Sequence, residues 1–504
     1  MIMPRNNPVK ERFKVLLVYA NSPMDNLMPV SVSSIAGALK KGGIDVRLFD
    51  TTYYKSHGLA TGGGERSGSL HVSDVDYSSI GIKLKTTDVF DDFRKMAIKY
   101  GPDLIGVSTV ETTHLLGLKL LECIRDLNIP TIMGGVHTIF SPTEVINEDV
   151  VDMVCIGEGE KSILELCEEM KNGNDYKNIK NIWVKSNGKL YKNAKADLDE
   201  LNGLPELDFS IFEEQRRYRP MAGHLYRMAP VEFSRGCMFK CTFCSAPTLA
   251  STFKEQGRWL RYKSISKIIK EIKAYIADYN IEYFYFVSET FLAMTEEMFE
   301  EFCHTYSKIA VPFWLNTRPE TISFKRIKML EDIGCHRMSV GVESGNEEYR
   351  KKMLQRNISN SRIVDACKIV SSSSIQLSVN NIVGFPDETI EMMFDTIYLN
   401  RQIDADSYSC SILQPYRGTS LYEYCVKKGY YDPNQLAIDL NVDSPLNQPH
   451  ITSMEIRGIA RTFPLYVKFP ETEFDTIKKA GMLTSEGDSL FEKLSEVYFK
   501  RYMK

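Results

Sequence analysis

Three cysteines in the segment Ser234-Arg235-Gly236-Cys237-Met238-Phe239-Lys240-Cys241-Thr242-Phe243-Cys244 carry the clearest chemistry in this chain. They follow a short apolar run, Pro230-Val231-Glu232-Phe233, and a glycine-marked turn, and no fourth cysteine comes soon after. Three thiolates on one loop can hold three irons of a 4Fe-4S cube and leave the fourth iron for a ligand that is not protein. A catalytic metal keeps an open position of this kind, whereas a structural zinc is closed. Zinc sites ordinarily pair two CxxC units, or pair one with nearby histidines. Here Cys303 and His304 fall in an unrelated helical stretch. A glycine-marked loop is also a poor place to bury core cysteines. No secretory segment is expected, so disulfides are not either.

CxxxCxxC with an aromatic residue before the last cysteine resembles the signature of radical S-adenosylmethionine (SAM) enzymes. The resemblance implies that Cys237, Cys241 and Cys244 ligate a catalytic 4Fe-4S cluster and that Phe243 lies beside the SAM adenine. In that family SAM chelates the open iron through its amino and carboxylate groups. One electron, from a donor such as flavodoxin or ferredoxin, then cleaves SAM to methionine and a 5′-deoxyadenosyl radical. The radical takes hydrogen from the substrate.

The elements that must position this loop are legible in the periodicity. Strands are expected at 231–234, 283–287, 313–316, 337–340, 376–382 and 407–413, with helices between them at 265–279, 296–306, 324–333, 362–371 and 390–401. Six such units are too few for a closed eight-unit barrel. The resembled family builds an open partial (β/α)6 barrel from them, with the cluster on the loop after the first strand. Polar residues follow each strand: Ser288-Glu289-Thr290, Asn316-Thr317-Arg318, Glu343-Ser344, Asn380-Asn381 with Gly384, and Gln414-Pro415-Tyr416. A lone polar strand end is more often a helix cap or solvated turn; a row of them at one end suits a zwitterionic ligand. By the resemblance, Ser288 and Glu289 lie near the SAM amino group, Arg318 neutralises its carboxylate, and Glu343 lies near the ribose or amino acid part. Asn381 and Gly384 lie along the adenine, and Gln414 joins the SAM site. Many relatives carry two acids where this chain has Ser288-Glu289.

The first 170 or so residues alternate strands, expected at 13–19, 45–49, 104–108, 131–133 and 151–156, with helices at 32–41, 89–99, 115–127 and 161–171. This predicts a doubly wound α/β sheet, whose ligands bind at the strands' carboxyl ends. Ser108-Thr109, Gly134-Gly135 and Gly157-Glu158-Gly159 fall there; tight turns are the competing explanation. A hairpin is expected around Ser186-Asn187-Gly188, a loop at 61–69 and a linker at 198–209. The region resembles the cobalamin-binding domain fused to one class of radical SAM enzymes, through Pro29-Val30-Ser31, residues 101–108, Gly134-Gly135-Val136-His137 and Gly157-Glu158-Gly159-Glu160. That implies a Rossmann-like fold and cobalamin contacts at Ser108, Thr109, Gly134, Gly135, Gly157, Glu158 and Gly159. The Asp-x-His-x-x-Gly motif that supplies a cobalt-ligating histidine in many cobalamin proteins is absent. His57 and His114 lack that context, and His137 is read as structural or as a neighbour of the nucleotide tail.

The chain of 504 residues is expected to divide into a cobalamin-binding-like domain with linker at 1–200, the barrel at 225–430 and a mostly helical segment at 431–504. A net charge of −4 gives no basic field for nucleic acid. No apolar run is long enough for a membrane span, and a cytoplasmic, reducing location is expected for its eleven cysteines. The implied activity is cobalamin-dependent methylation of an unactivated carbon of a small-molecule or lipid-type substrate. The alternative keeps the radical step without methyl transfer, as in a cyclase, a C–C coupling enzyme or an oxidoreductase. Methylthiolation fits less well, because Cys123, Cys155 and Cys167 fall inside expected helices and strands.

Overall fold

The computed structural model describes residues 12–55, 70 and 75–502. The loop expected at 61–69 and His57 lie outside the described residues. The chain forms two compact units, one drawn from Met1–Gly63, Tyr77–Arg217 and Ser251–Trp259, the other from the remainder.

In the first unit, β1 (Lys14–Tyr19), β2 (Asp45–Asp50), β3 (Leu104–Ser108), β4 (Thr131–Gly134), β5 (Met153–Cys155), β6 (Ile182–Ser186) and β7 (Lys189–Tyr191) form one sheet in the order β2-β1-β3-β4-β5-β6-β7. The first five strands are parallel, and β6 and β7 add antiparallel at one edge. The order 2-1-3-4-5 is doubly wound, with its switch point between β1 and β3. Val15–Val18 is buried on both faces, as a central parallel strand requires. Leu16, Val18 and Phe93 pack on one side of the sheet, and Val15, Leu17 and Leu39 on the other. Asp88 starts the helix Val89–Tyr100 by accepting the Phe90 and Asp91 N–H groups, and Gly101 ends it in the left-handed region. The expected hairpin turns on Asn187 (φ 50°) and Gly188 (φ 73°). Arg216 closes the unit from its far end: buried, it pairs with Asp50 at 2.8 Å and donates to the Leu27 carbonyl at 3.0 Å.

The second unit holds β8 (Tyr218–Met221), β9 (His224–Glu232), β12 (Tyr283–Val287), β13 (Phe313–Thr317), β14 (Cys335–Glu343), β15 (Gln376–Val383) and β16 (Ser407–Ile412). They lie in the order β16-β15-β14-β13-β12-β9-β8 in a curled half-barrel sheet. Six strands are parallel and β8 is antiparallel at the edge. Between β9 and β12 come the short strands β10 (Ser234–Arg235) and β11 (Arg261–Tyr262), which pair with each other. The first barrel strand therefore begins seven residues before the expected 231, as the return arm of a hairpin over Ala222 (φ 50°) and Gly223 (φ 79°). Alanine seldom takes that conformation, so the turn is hard to read from sequence. Behind the sheet, Phe233, Phe286, Phe302, Tyr306 and Phe313 pack largely edge-to-face. The C-terminal helices are Ser453–Lys468, Phe474–Ala480 and Ser485–Tyr502, the first started by a Thr452/Glu455 capping box. Among the described residues no helix is long and apolar enough to cross a membrane.

Candidate active site

The cysteine loop leaves β9 over a buried chain of charges. Lys263 and Glu271 are 1% and 0% exposed at their side chains and pair at 3.0 Å. Lys263 also reaches Glu232 at 3.4 Å, and Glu232 accepts from Arg235 Nε at 2.7 Å. The register of β10 on β11 sets Ser234 opposite Tyr262. Gly236 then turns with φ +96°, a conformation that residues with a Cβ rarely adopt. Its N–H donates to Glu289 Oε1 at 3.0 Å, and the Ser234 and Ser288 hydroxyls bond at 2.8 Å. The segment after β12 thus latches the loop, and Thr290 Oγ1 lies 3.8 Å from Cys237 Sγ. Thr242, between Cys241 and Cys244, donates from its hydroxyl to the Met353 carbonyl at 2.7 Å and accepts the Leu421 N–H at 3.0 Å.

Burial pushes the Cys244 thiol up to about 11. Burial also raises Cys241, against the pull of Arg318 and Arg356. Glu289 is raised for the same reason, although it accepts backbone N–H groups. A coordinating metal deprotonates a thiol outright. Among the described residues, no three His, Cys, Asp or Glu side chains converge on one ion position. Thiolates on separate corners of a cube have no need to.

An alternating row of charges borders the loop. Arg318 Nη1 donates to Cys241 Sγ at 2.8 Å, and its other nitrogens donate to Glu320. Its guanidinium lies 3.8 Å over the Phe239 ring. Arg356, 2% exposed, donates to Glu343 Oε1 at 2.9 Å and to the Gly341 carbonyl at 2.7 Å. Glu343 has φ 70° at a register shift ending β14; burial raises its pKa against Arg356 and Arg318. Phe243 packs against Phe385 with centroids 5.9 Å apart.

Three expected SAM residues have other uses. Asn381 exchanges hydrogen bonds with Asn400 and donates to the Ser409 carbonyl, so its side chain serves the helix Ile390–Asn400. Its neighbour Asn380 points to the opposite face of the sheet, where it accepts from Ser409 Oγ. Gln414 spends its amide on Ile438 N–H and the Asp443 carbonyl, fastening the chain after the barrel. Gly384 N–H donates to Glu388 Oε2 at 2.8 Å. Glu388 is fully buried and pushed up to about 8 by burial. Arg356 and Glu388 stood out in no motif; in sequence a buried arginine or glutamate looks like an exposed one.

In the first unit, Ser108 ends β3, and the Thr109 N–H bonds to the Gly134 carbonyl at 3.1 Å. Gly135 has φ +110°, and a Cβ there would sit 2.1 Å from the Thr109 carbonyl oxygen. Only glycine lets the two turns nest. Among the described residues, the Thr109 and Thr138 hydroxyls beside this junction are buried with no hydrogen-bond partner. His114 and His137 are buried with ring centroids 4.4 Å apart. The third expected segment is used by the fold itself. A Cβ on Gly157 would meet Asn181 Oδ1 at 2.4 Å, and Asn181 Nδ2 donates to the Glu158 carbonyl. Glu158 Oε2 accepts the Asp199 N–H at 2.8 Å. Gly159 precedes the helix Glu160–Asn172 and packs near Ile163 and Ile35.

Two family models match the chain: "Radical SAM superfamily" over residues 231–398 and "B12 binding domain" over residues 67–166. The chain carries a radical SAM domain and a B12-binding domain. The chain is 26% identical over 393 residues to an uncharacterized methyltransferase of Pyrococcus horikoshii, covering 75% of this chain and 81% of that one. It is 24% identical over 352 residues to an anaerobic magnesium-protoporphyrin IX monomethyl ester cyclase of Rubrivivax gelatinosus, covering 67% of this chain and 61% of the cyclase. Its fold is similar to a solved structure of TsrM, a radical S-adenosylmethionine methyltransferase from Kitasatospora setae, with cobalamin and a 4Fe-4S cluster bound. The TM-score is 0.64 at 14% identity, over 96% of this chain and 100% of that one.

The residues present fit both groups. Each of Cys237, Cys241 and Cys244 has a donor or hydroxyl at its sulfur, as cluster thiolates commonly do. In the B12-binding domain the Thr109 and Thr138 hydroxyls, without a partner among the described residues, suit a polar ligand at the Gly134-Gly135 turn.

Proposed function

We propose that this radical SAM enzyme is a cobalamin-dependent methyltransferase acting on an unactivated carbon of a small-molecule or lipid-type substrate. The observation that carries the reading is the presence, in one chain, of a B12-binding domain and a barrel opening with three cysteines. When bound, the cluster and SAM supply a carbon radical, and cobalamin supplies a methyl group.

The rest falls to the chain. Cys237, Cys241 and Cys244 hold the cluster, and the Glu289–Gly236 bond fixes the turn that presents them. Glu289 and Glu343 receive the amino and hydroxyl groups of SAM, with Phe243 beside its adenine. Ser108, Thr109 and Gly135 form the near wall of the cobalamin cradle. Packed aromatic side chains behind the sheet keep water from its outer face. A low-potential donor such as flavodoxin or ferredoxin supplies the electron in a reducing, cytoplasmic setting.

The test needs no substrate. The anaerobically reconstituted protein is loaded with cobalamin, reduced, and given methyl-labelled SAM. Label recovered on the bound cobalamin supports methyl transfer. Cobalamin retained without label, or no cobalamin at all, moves the assignment to a radical reaction without methyl transfer, as the name of the Rubrivivax relative suggests.

A further inference from the structure

We propose that Arg318 tunes the electron transfer that starts the reaction, by donating a charged hydrogen bond to Cys241 and so raising the reduction potential of the cluster. This rests on the reading of the three cysteines as cluster ligands. The three sulfurs have unequal neighbours. Cys237 has the Thr290 hydroxyl at 3.8 Å, Cys244 has the Ala246 N–H at 3.5 Å, and Cys241 has Arg318 Nη1 at 2.8 Å. Among the described residues Arg318 is the one cation bonded to any of them.

Arg318 is also held where it is. Phe239 covers one face of its guanidinium at 3.8 Å, and Glu320 takes its Nε and Nη2 hydrogens. Glu320 is 4.0 Å from Arg356, which is itself tied to Glu343 and the Gly341 carbonyl. The guanidinium therefore needs no rearrangement when charge on the sulfur changes. Both Arg318 and Cys241 are 8% exposed, so their interaction is poorly screened.

Reduction adds one electron from an external low-potential donor to the cluster and its three thiolates; no bond breaks and no proton moves. The added charge spreads onto sulfur, so a positive N–H donor stabilises the reduced form more than the oxidised form. Glu320 offsets part of that effect. The geometry thus assigns opposite signs to two neighbours: loss of the Arg318 charge lowers the potential, and loss of the Glu320 charge raises it.

The experiment is a mediated redox titration of the full-length, anaerobically reconstituted protein without SAM, read by electron paramagnetic resonance, with iron and sulfide assayed on each sample. Arg318→Met is expected to shift the midpoint negative, with a change of about tenfold in the reduced-to-oxidised ratio, ~59 mV for one electron. Arg318→Lys should lie between it and the wild type, and Glu320→Gln should shift the other way. If Arg318→Met does not load iron, Arg318→Lys and Glu320→Gln carry the test. A loaded variant pair with the wild-type midpoint, or both shifted in one direction, overturns the role of Arg318 alone. A wild-type protein that loads no cluster overturns the cysteine assignment beneath it as well.

Discussion

Glu271 Oε2 lies 3.0 Å from Lys263 Nζ, and neither side chain reaches solvent. The pair stands under the cysteine loop, because Lys263 also holds Glu232 and Glu232 holds Arg235, next to the Gly236 turn. Removing one member strands a buried charge. Lys263→Met should cost about 3–5 kcal/mol in urea unfolding and weaken iron retention; the double variant Lys263→Met/Glu271→Met should recover part of the loss. Equal stability of Lys263→Met and the wild type would contradict the chain of charges.

Glu289 accepts the Gly236 N–H, and the proposed function gives it a second task, at the SAM amino group. Glu289→Gln keeps an acceptor for the backbone and loses the charge. Iron content should hold, while SAM affinity by calorimetry should fall by on the order of 1.5–3 kcal/mol, ten- to hundredfold. Loss of the cluster with unchanged affinity per loaded cluster would assign Glu289 to the loop alone.

Thr138 tests the cobalamin cradle. Its buried hydroxyl has no partner among the described residues, so Thr138→Val relieves an unsatisfied group. Stability without cobalamin should stay level or rise. Cobalamin retention after desalting should weaken several-fold. Gly135→Ala should harm both, since its Cβ would strike the Thr109 carbonyl. A valine variant that binds cobalamin as the wild type does would place the ligand elsewhere.

Glu388 gives a pH signature. Its carboxyl is raised from 4.5 to about 8 by burial. The folded state thus keeps a proton that the unfolded chain releases. The stability this contributes is full below about pH 4.5 and is lost as pH rises through about 8. Glu388→Gln keeps an acceptor for the Gly384 and Phe385 N–H groups and should flatten the decline in unfolding free energy between pH 5 and 8.5, by a few kcal/mol at the alkaline end. An unchanged slope would mean the carboxyl is ionised in the fold.

Local signals made much of the fold legible. The helices Ile265–Tyr279 and Glu296–Tyr306 fall where periodicity puts them, because Ser264 and Thr295 cap their starts and Asn280 ends the first in the left-handed region. Alternation could not say which of Asn380 and Asn381 faces the helices, since both are polar; the structure turns Asn381 outward to Asn400. Nor could it show that Gly157 and Gln414 serve distant backbone segments, at Asn181 and at residues 438–443. The contacts Lys263–Glu232, Arg318–Cys241 and Arg356–Glu343 join residues 13 to 77 positions apart, and no local pattern encodes such pairings.

The most direct test of the central claim is the ultraviolet–visible spectrum of protein reconstituted anaerobically with iron, sulfide and hydroxocobalamin, then desalted, beside a Cys241→Ala variant. The account predicts a broad iron–sulfur band near ~400 nm that is lost in the variant, with about one cobalamin retained per chain in both. A wild-type protein that carries neither chromophore would contradict it.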